Sequence, residues 1–117
     1  MDDNREAAES LGVLLEELGA TTSVAFGGRE ALQRIDTFEP EVVLVDLGMP
    51  GMDGFEVCRR IRAASRLRQM LLVALTGWGQ DEDRERSKRA GFDHHFVKPL
   101  NVQKLRALLE HSALESR

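Results

Sequence analysis

The chain has 117 residues, enough for one hydrophobic core and too few for two. Hydrophobic residues make up 42% and charged residues 31%, a balance that excludes an extended, disordered chain. A net charge of −4 and a pI near 5.4 exclude a general nucleic-acid binder, and no apolar run approaches the length that crosses a membrane.

The first predicted helix runs from Asn4 to Leu18, with Ala7, Ala8, Leu11, Leu14, Leu15 and Leu18 at helical spacing and Gly19 as its stop. Thr21 to Phe26 is a short β-branched stretch, predicted as a strand. Gly27-Gly28 opens a second helix with Ala31, Leu32 and Ile35 on one side. Pro40 separates it from the run Val42-Val43-Leu44-Val45, which ends at Asp46. A third helix is predicted over Phe55 to Ala64, with Phe55, Cys58 and Ile61 on one face, and a second apolar strand over Met70 to Leu75, followed by Thr76-Gly77. Gln80 to Ala90 is a helix closed by Gly91, Phe92 to Val97 a last strand before Lys98-Pro99, and Asn101 caps a final helix with Val102, Leu105, Leu108 and Leu109 as its buried stripe. Cys58, the only cysteine, reads as a small apolar helix residue. The amino terminus has no signal-peptide layout, so the expected compartment is the cytoplasm.

Strand and helix alternate with short connections, which predicts a single α/β domain over residues 1–117: a parallel sheet covered on both faces by helices. Parallel strands turn all their carboxyl ends to one edge, where open α/β sheets collect ligands. Asp46, Thr76 and Lys98 each follow a predicted strand and therefore meet at that edge. A carboxylate, a hydroxyl and a fixed cation suit a transferred phosphoryl group: Asp46 as nucleophile forming an acyl phosphate, Thr76 and Lys98 holding its oxygens. Phosphate and carboxylate repel, so the site calls for a divalent cation. Asp2 and Asp3, just before the first helix, with Asp46 and the carbonyl of Gly48, offer hard oxygen ligands suited to Mg²⁺. Taken alone, Asp2 and Asp3 read equally as helix amino-terminal charges; set beside Asp46, Thr76 and Lys98 they read as metal ligands.

On these residues the chain resembles a response-regulator receiver domain, the phospho-acceptor module of two-component signalling. The matching pattern is Asp2-Asp3, Asp46 with the loop Met49-Pro50-x-Met52-Asp53-Gly54, Thr76-Gly77 and Lys98-Pro99, in the family's order over essentially the whole chain. The resemblance implies a flavodoxin-like doubly wound sheet of strand order 2-1-3-4-5, and Mg²⁺-dependent phosphoryl transfer from the phosphohistidine of a histidine kinase or phosphotransfer domain to Asp46. It also implies that Thr76 and Lys98 read the phosphorylated state, and a cis Lys98-Pro99 bond. The wording around Leu75 to Gln80 and Gly91 to Pro99 is similar to receivers of hybrid histidine kinases.

Two departures stand out. The family places an apolar strand before the acidic pair, at the centre of the sheet, whereas here only Met1 precedes Asp2. The segments 21–26 and 42–46 are therefore expected to flank an empty slot. The chain is expected to be poorly stable as a monomer, to dimerise, or to borrow a strand from another molecule. At His95 the family has an aromatic residue whose rotamer follows the threonine; histidine swings likewise and adds a titratable charge. A half-buried strand histidine without a signalling role is the other reading of His95. His94 and His95 point to opposite faces and cannot chelate together.

Residues 81–89 carry no apolar side chain, which predicts a solvated helix held by charge pairs such as Glu82–Arg86 and free to shift as part of an output surface. Trp78, two residues beyond Thr76, is placed at the mouth of the site, where its bulk and the smallness of Gly48 would govern water access. Two rival functions follow from the same residues. An aspartyl-nucleophile phosphohydrolase of the haloacid-dehalogenase type needs a second aspartate where Gly48 stands, and a substrate cap. A degenerate receiver would act as a phosphorylation-independent interaction module.

Overall fold

Among the described residues three strands form a parallel sheet in the order β1 (Val42–Asp46), β2 (Leu71–Thr76), β3 (His94–Val97). Around it lie α1 (Arg5–Glu17), α2 (Gly28–Phe38), α3 (Gly54–Ala63), α4 (Asp81–Ala90) and α5 (Val102–Glu115). The computed structural model describes residues 1–47, 54–64, 70–77, 81–98 and 100–115, with 81–83 and 111–115 described only by their place in a helix.

The helices start and stop where their capping chemistry dictates. Asn4 Oδ1 accepts the N–H of Ala7 at 3.1 Å and starts α1. Gly19, at φ +100°, takes the left-handed turn that ends it. Asn101 Oδ1 accepts the N–H groups of Gln103 and Lys104 at the start of α5.

Consecutive residues of β1 and β2 are apolar because the sheet has a core on each face. Val45, Leu72 and Ala74 pack with Ile35 of α2 and Phe55, Cys58 and Ile61 of α3. Leu44, Val73 and Leu75 pack on the other face with Leu105 and Leu108 of α5, and the leucines of α1 complete that layer. Arg62 ties α3 to the sheet, donating to the carbonyls of Gly91 (2.8 Å) and Met70 (2.9 Å) and pairing with Asp93. Asp93 in turn accepts the N–H of Leu72 at 2.8 Å.

The predicted strand at Thr21–Phe26 is not formed: residues 20–25 take no regular secondary structure and lie outside the sheet. The reason is a missing neighbour. Met1 N donates to Leu44 O at 2.7 Å, and Asp46 N donates to Met1 O at 2.9 Å, so Met1 sits opposite Val45 as one residue of a parallel strand would. Asp2 turns its N–H the other way, to Ala25 O at 3.1 Å. These two residues stand where the last rungs of a central strand belong, and residues 21–24 and Val42 have no such bridge between them.

Helix α4 is less solvated than its composition predicts. Ser87 is 1% exposed and Ala90 is buried, so two small side chains let the helix lie close to the sheet. The guanidinium of Arg86 covers the ring of Phe55 at 4.1 Å. The pair Glu82–Arg86 lies outside the described side chains; Glu85 and Arg89 form an i,i+4 pair at 3.5 Å.

Candidate phospho-acceptor site

The ladder brings the polar strand ends together. Asp46 lies opposite Leu75, the next residue Thr76 lies opposite Val97, and the N–H of Lys98 donates to Thr76 O at 2.8 Å. Register alone thus delivers Asp46, Thr76 and Lys98 to one edge. Asp46 and Thr76 are buried, and the Lys98 side chain is about one-third exposed at 38%.

Lys98 Nζ lies 3.6 Å from Asp46 Oδ1 and 3.6 Å from Asp2 Oδ2, one cation bridging two carboxylates. Asp2 is held in place by its other oxygen, which accepts the N–H of Asn4 at 3.0 Å. Asp3 is exposed beside it, and one carboxylate oxygen from each of Asp2, Asp3 and Asp46 lies within 4.8 Å of the others. Burial pushes the Asp2 carboxyl up, but the Asn4 N–H, hydrogen bonding with Asp46 and the Lys98 ammonium outweigh it and hold the group below the ordinary carboxylate value. The Met1 ammonium is pushed down from its ordinary value, first by burial and further by Lys98, against the pull of Asp2 and Asp46.

Three carboxylates so close together repel one another unless a cation joins them, and an all-oxygen donor set fits a hard divalent ion. The residues present are therefore able to coordinate a metal. The closeness of the chain at this point is set by Gly54, the first residue of α3: a Cβ there would lie 2.8 Å from Val45 Cγ1, 2.9 Å from Leu47 Cδ2 and 3.0 Å from Asp46 O.

His95 faces α4, with Nδ1 3.1 Å from Ser87 Oγ. In the sequence the one signal of Ser87 is a small residue three positions before Ala90 on an otherwise charged helix. Gly48, Trp78, Pro99 and the loop residues 49–53 lie outside the described residues. Among the described residues no helix is long and apolar enough to cross a membrane.

A parallel α/β sheet with an acidic cluster, a hydroxyl and a lysine at its carboxyl edge defines a phosphoryl-accepting class of domain. The sequence pattern of the response regulator receiver domain matches residues 1–110, and the chain belongs to that family. It is 32% identical to an uncharacterized 14.6 kDa protein of Leptolyngbya boryana, over 97% of this chain and 87% of that protein. It is 34% identical to the response regulator MprA of Mycobacterium ulcerans, over 98% of this chain and 50% of that protein, so it spans half of that relative. Among solved structures, it is similar to the signal receiver domain of a DNA-binding response regulator from Colwellia psychrerythraea 34H (TM-score 0.88, 32% identity, 99% of this chain and 94% of that one). It is also similar to the receiver domain of a signal transduction histidine kinase from Syntrophus aciditrophicus (TM-score 0.85, 30% identity, 96% and 85%). The chain is thus a phospho-acceptor receiver domain, a signalling module rather than a conventional enzyme.

Proposed function

We propose that Asp46 is the acceptor and takes a phosphoryl group from the phosphohistidine of a histidine kinase or phosphotransfer domain. The observation that carries this reading is the bridge of Lys98 between Asp46 and Asp2 at 3.6 Å from each, at the carboxyl edge of the sheet. A carboxylate oxygen of Asp46 attacks phosphorus as the P–N bond breaks; the electron pair stays on the donor imidazole, and the product is an acyl phosphate. Lys98 follows the incoming charge, and the Thr76 hydroxyl holds a phosphoryl oxygen. Asp2, Asp3 and Asp46 would hold Mg²⁺, with the Gly48 carbonyl as a further ligand, and the bound ion would neutralise phosphoryl oxygens that the carboxylates otherwise repel. In the complete family order 2-1-3-4-5, the segment 21–25, β1, β2 and β3 correspond to the second to fifth strands. Movement of Thr76 is expected to pass to His95 and, through Ser87, to α4, whose charged outer face with β3 and α5 forms the output surface.

A second reading, a phosphorylation-independent interaction module, is favoured by one observation, the unfilled centre of the sheet. Incubation with acetyl phosphate and Mg²⁺ followed by intact mass separates the two. A single phosphoryl adduct, absent in Asp46→Asn and without Mg²⁺, is the expected result. No adduct on a folded chain refutes the acceptor reading, and rapid phosphate release with turnover supports a hydrolase instead.

A further inference from the structure

Helix α4 is attached to the domain unevenly. Its carboxyl end is anchored: Ala90 is buried, its carbonyl accepts the Cys58 thiol at 3.2 Å, and the next carbonyl, of Gly91, accepts from Arg62 Nε at 2.8 Å. Toward the amino end the grip changes character. Residues 81–89 carry no apolar side chain, so no hydrophobic stripe holds this part of the helix to the sheet. A helix of 10 residues without such a stripe is marginal in water, because its own hydrogen bonds barely offset the cost of starting it. The amino half of α4 is therefore closed by individual side-chain contacts.

Two adjacent residues make such contacts, one to each side. Ser87 meets His95 Nδ1 of β3 at 3.1 Å. Arg86, although exposed, lays its guanidinium over the ring of Phe55 in α3, 4.1 Å from the centroid. That ring is a fixed platform. Phe55 is buried and stands edge-on to Phe92, with 6.4 Å between centroids and 77° between planes. It also directly follows Gly54, where the place for a Cβ lies 3.0 Å from Asp46 O. A shift of the Asp46 backbone therefore moves the first turn of α3, and with it the surface on which Arg86 rests.

We infer that Arg86 is a clasp that holds the amino half of α4 closed, and that it couples α4 to Asp46 through Gly54 and Phe55, a second route beside that through Thr76 and His95. The coupling rests on Asp46 being the acceptor; the clasp does not. A guanidinium over an aromatic ring near solvent is a weak contact, and its loss raises the open population of the helix by about two- to fivefold. A contact this weak is opened by a small displacement of Phe55. Coupling between sites is reciprocal, so if a phosphoryl group on Asp46 opens α4, removing the clasp strengthens binding at Asp46 by up to the same factor.

The test follows amide exchange in the 117-residue protein at Glu85 to Lys88 of α4, with Ala74 and Leu75 of β2 as reference. Arg86→Gln is expected to speed exchange in α4 by about two- to fivefold and to leave β2 unchanged. Arg84→Gln, which removes the same charge from the same helix, is expected to change neither. In a Phe55→Leu background, Arg86→Gln is expected to add nothing. Unchanged exchange in Arg86→Gln overturns the clasp. So does an equal rise in Arg84→Gln, which assigns the effect to charge, or in β2, which assigns it to opening of the whole domain. An undiminished effect in Phe55→Leu overturns it as well.

The coupling is read with Mg²⁺ and beryllofluoride, a mimic of the phosphoryl group. Exchange in α4 of the parent is expected to rise, and Arg86→Gln to reach half-saturation at about two- to fivefold less beryllofluoride. Equal half-saturation overturns the coupling. So does a parent whose exchange ignores beryllofluoride while acetyl phosphate still labels Asp46. A parent that takes neither overturns the acceptor reading and the coupling with it, and exchange without beryllofluoride then decides the clasp by itself.

Discussion

Replacing Gly54 by alanine tests whether the acceptor is positioned by close packing of α3 on the end of β1. The added Cβ would meet Val45 Cγ1 at 2.8 Å, Leu47 Cδ2 at 2.9 Å and the backbone oxygen of Asp46 at 3.0 Å. Val45 is fully buried, and the Asp46 carbonyl belongs to the strand, so neither can swing aside as an exposed side chain would. Overpacking of this kind costs about 1–3 kcal/mol. Alanine recovers at most about 1 kcal/mol through its helix propensity, leaving a net loss of up to about 2 kcal/mol. For a chain of this length, that lowers Tm by up to about 8 °C. Relief of the clash moves the acceptor relative to Lys98 by a fraction of an ångström, and since a 1 Å misplacement costs about 100-fold, adduct formation should slow by about 3- to 10-fold. Urea unfolding and the acetyl phosphate time course read the two effects. A Gly54→Ala protein as stable as the parent with an unchanged adduct rate would refute the packing argument. Lower stability with an unchanged rate would refute its link to the acceptor.

Stability should also depend on pH at the amino terminus. The folded Asp2 pKa lies below its ordinary value, so its contribution is present above about pH 4 and is lost as pH falls through the folded value. Asp2→Asn should flatten the acid limb of urea midpoint against pH, and an unchanged limb would count against the ion pair with Lys98. The Met1 ammonium is depressed instead, so the unfolded chain binds more protons and stability should rise as pH climbs toward about 8; Nα-acetylation should abolish that rise, and its persistence in the acetylated protein would exclude Met1 as the source. Burial pushes the Cys58 thiol up to about 11, and its Sγ donates to Ala90 O at 3.2 Å. Iodoacetamide at neutral pH should leave it unlabelled in the native protein and label it in urea; equal labelling rates would contradict its burial. Arg62→Met strips charged donors from Gly91 O, Met70 O and Asp93, and should cost about 2–3 kcal/mol in urea unfolding; a change under about 0.5 kcal/mol would show that solvent replaces the clasp.

Much of the site was legible because parallel strands are directional. Once Val42–Val45 and Met70–Leu75 are read as doubly buried strands, Asp46 and Thr76 fall at one edge without any knowledge of packing. The capping role of Asn101 and the stop at Gly19 were likewise local chemistry. The predicted strand at Thr21–Phe26 did not form because a strand is defined by its partner, and here Asp2 alone bonds to the segment's backbone, at Ala25 O. The contact of His95 with Ser87 escaped notice because neither residue signals it alone: a serine on a charged helix looks solvated until the sheet is laid against it.

Periodicity, caps and the order of apolar runs, all short-range properties, determined from sequence alone that this chain alternates helix and parallel strand and presents Asp46, Thr76 and Lys98 together. Tertiary structure decided what depends on contacts between distant residues. It brought Asp2 and Asp3 to within one ion's reach of Asp46, 43 residues or more away along the chain, and set Lys98 as the bridge. It placed Met1 and Asp2 on the last rungs of an otherwise vacant central strand. Side-chain patterns encode which face of a segment is buried; they do not encode which backbone edge will find a neighbour.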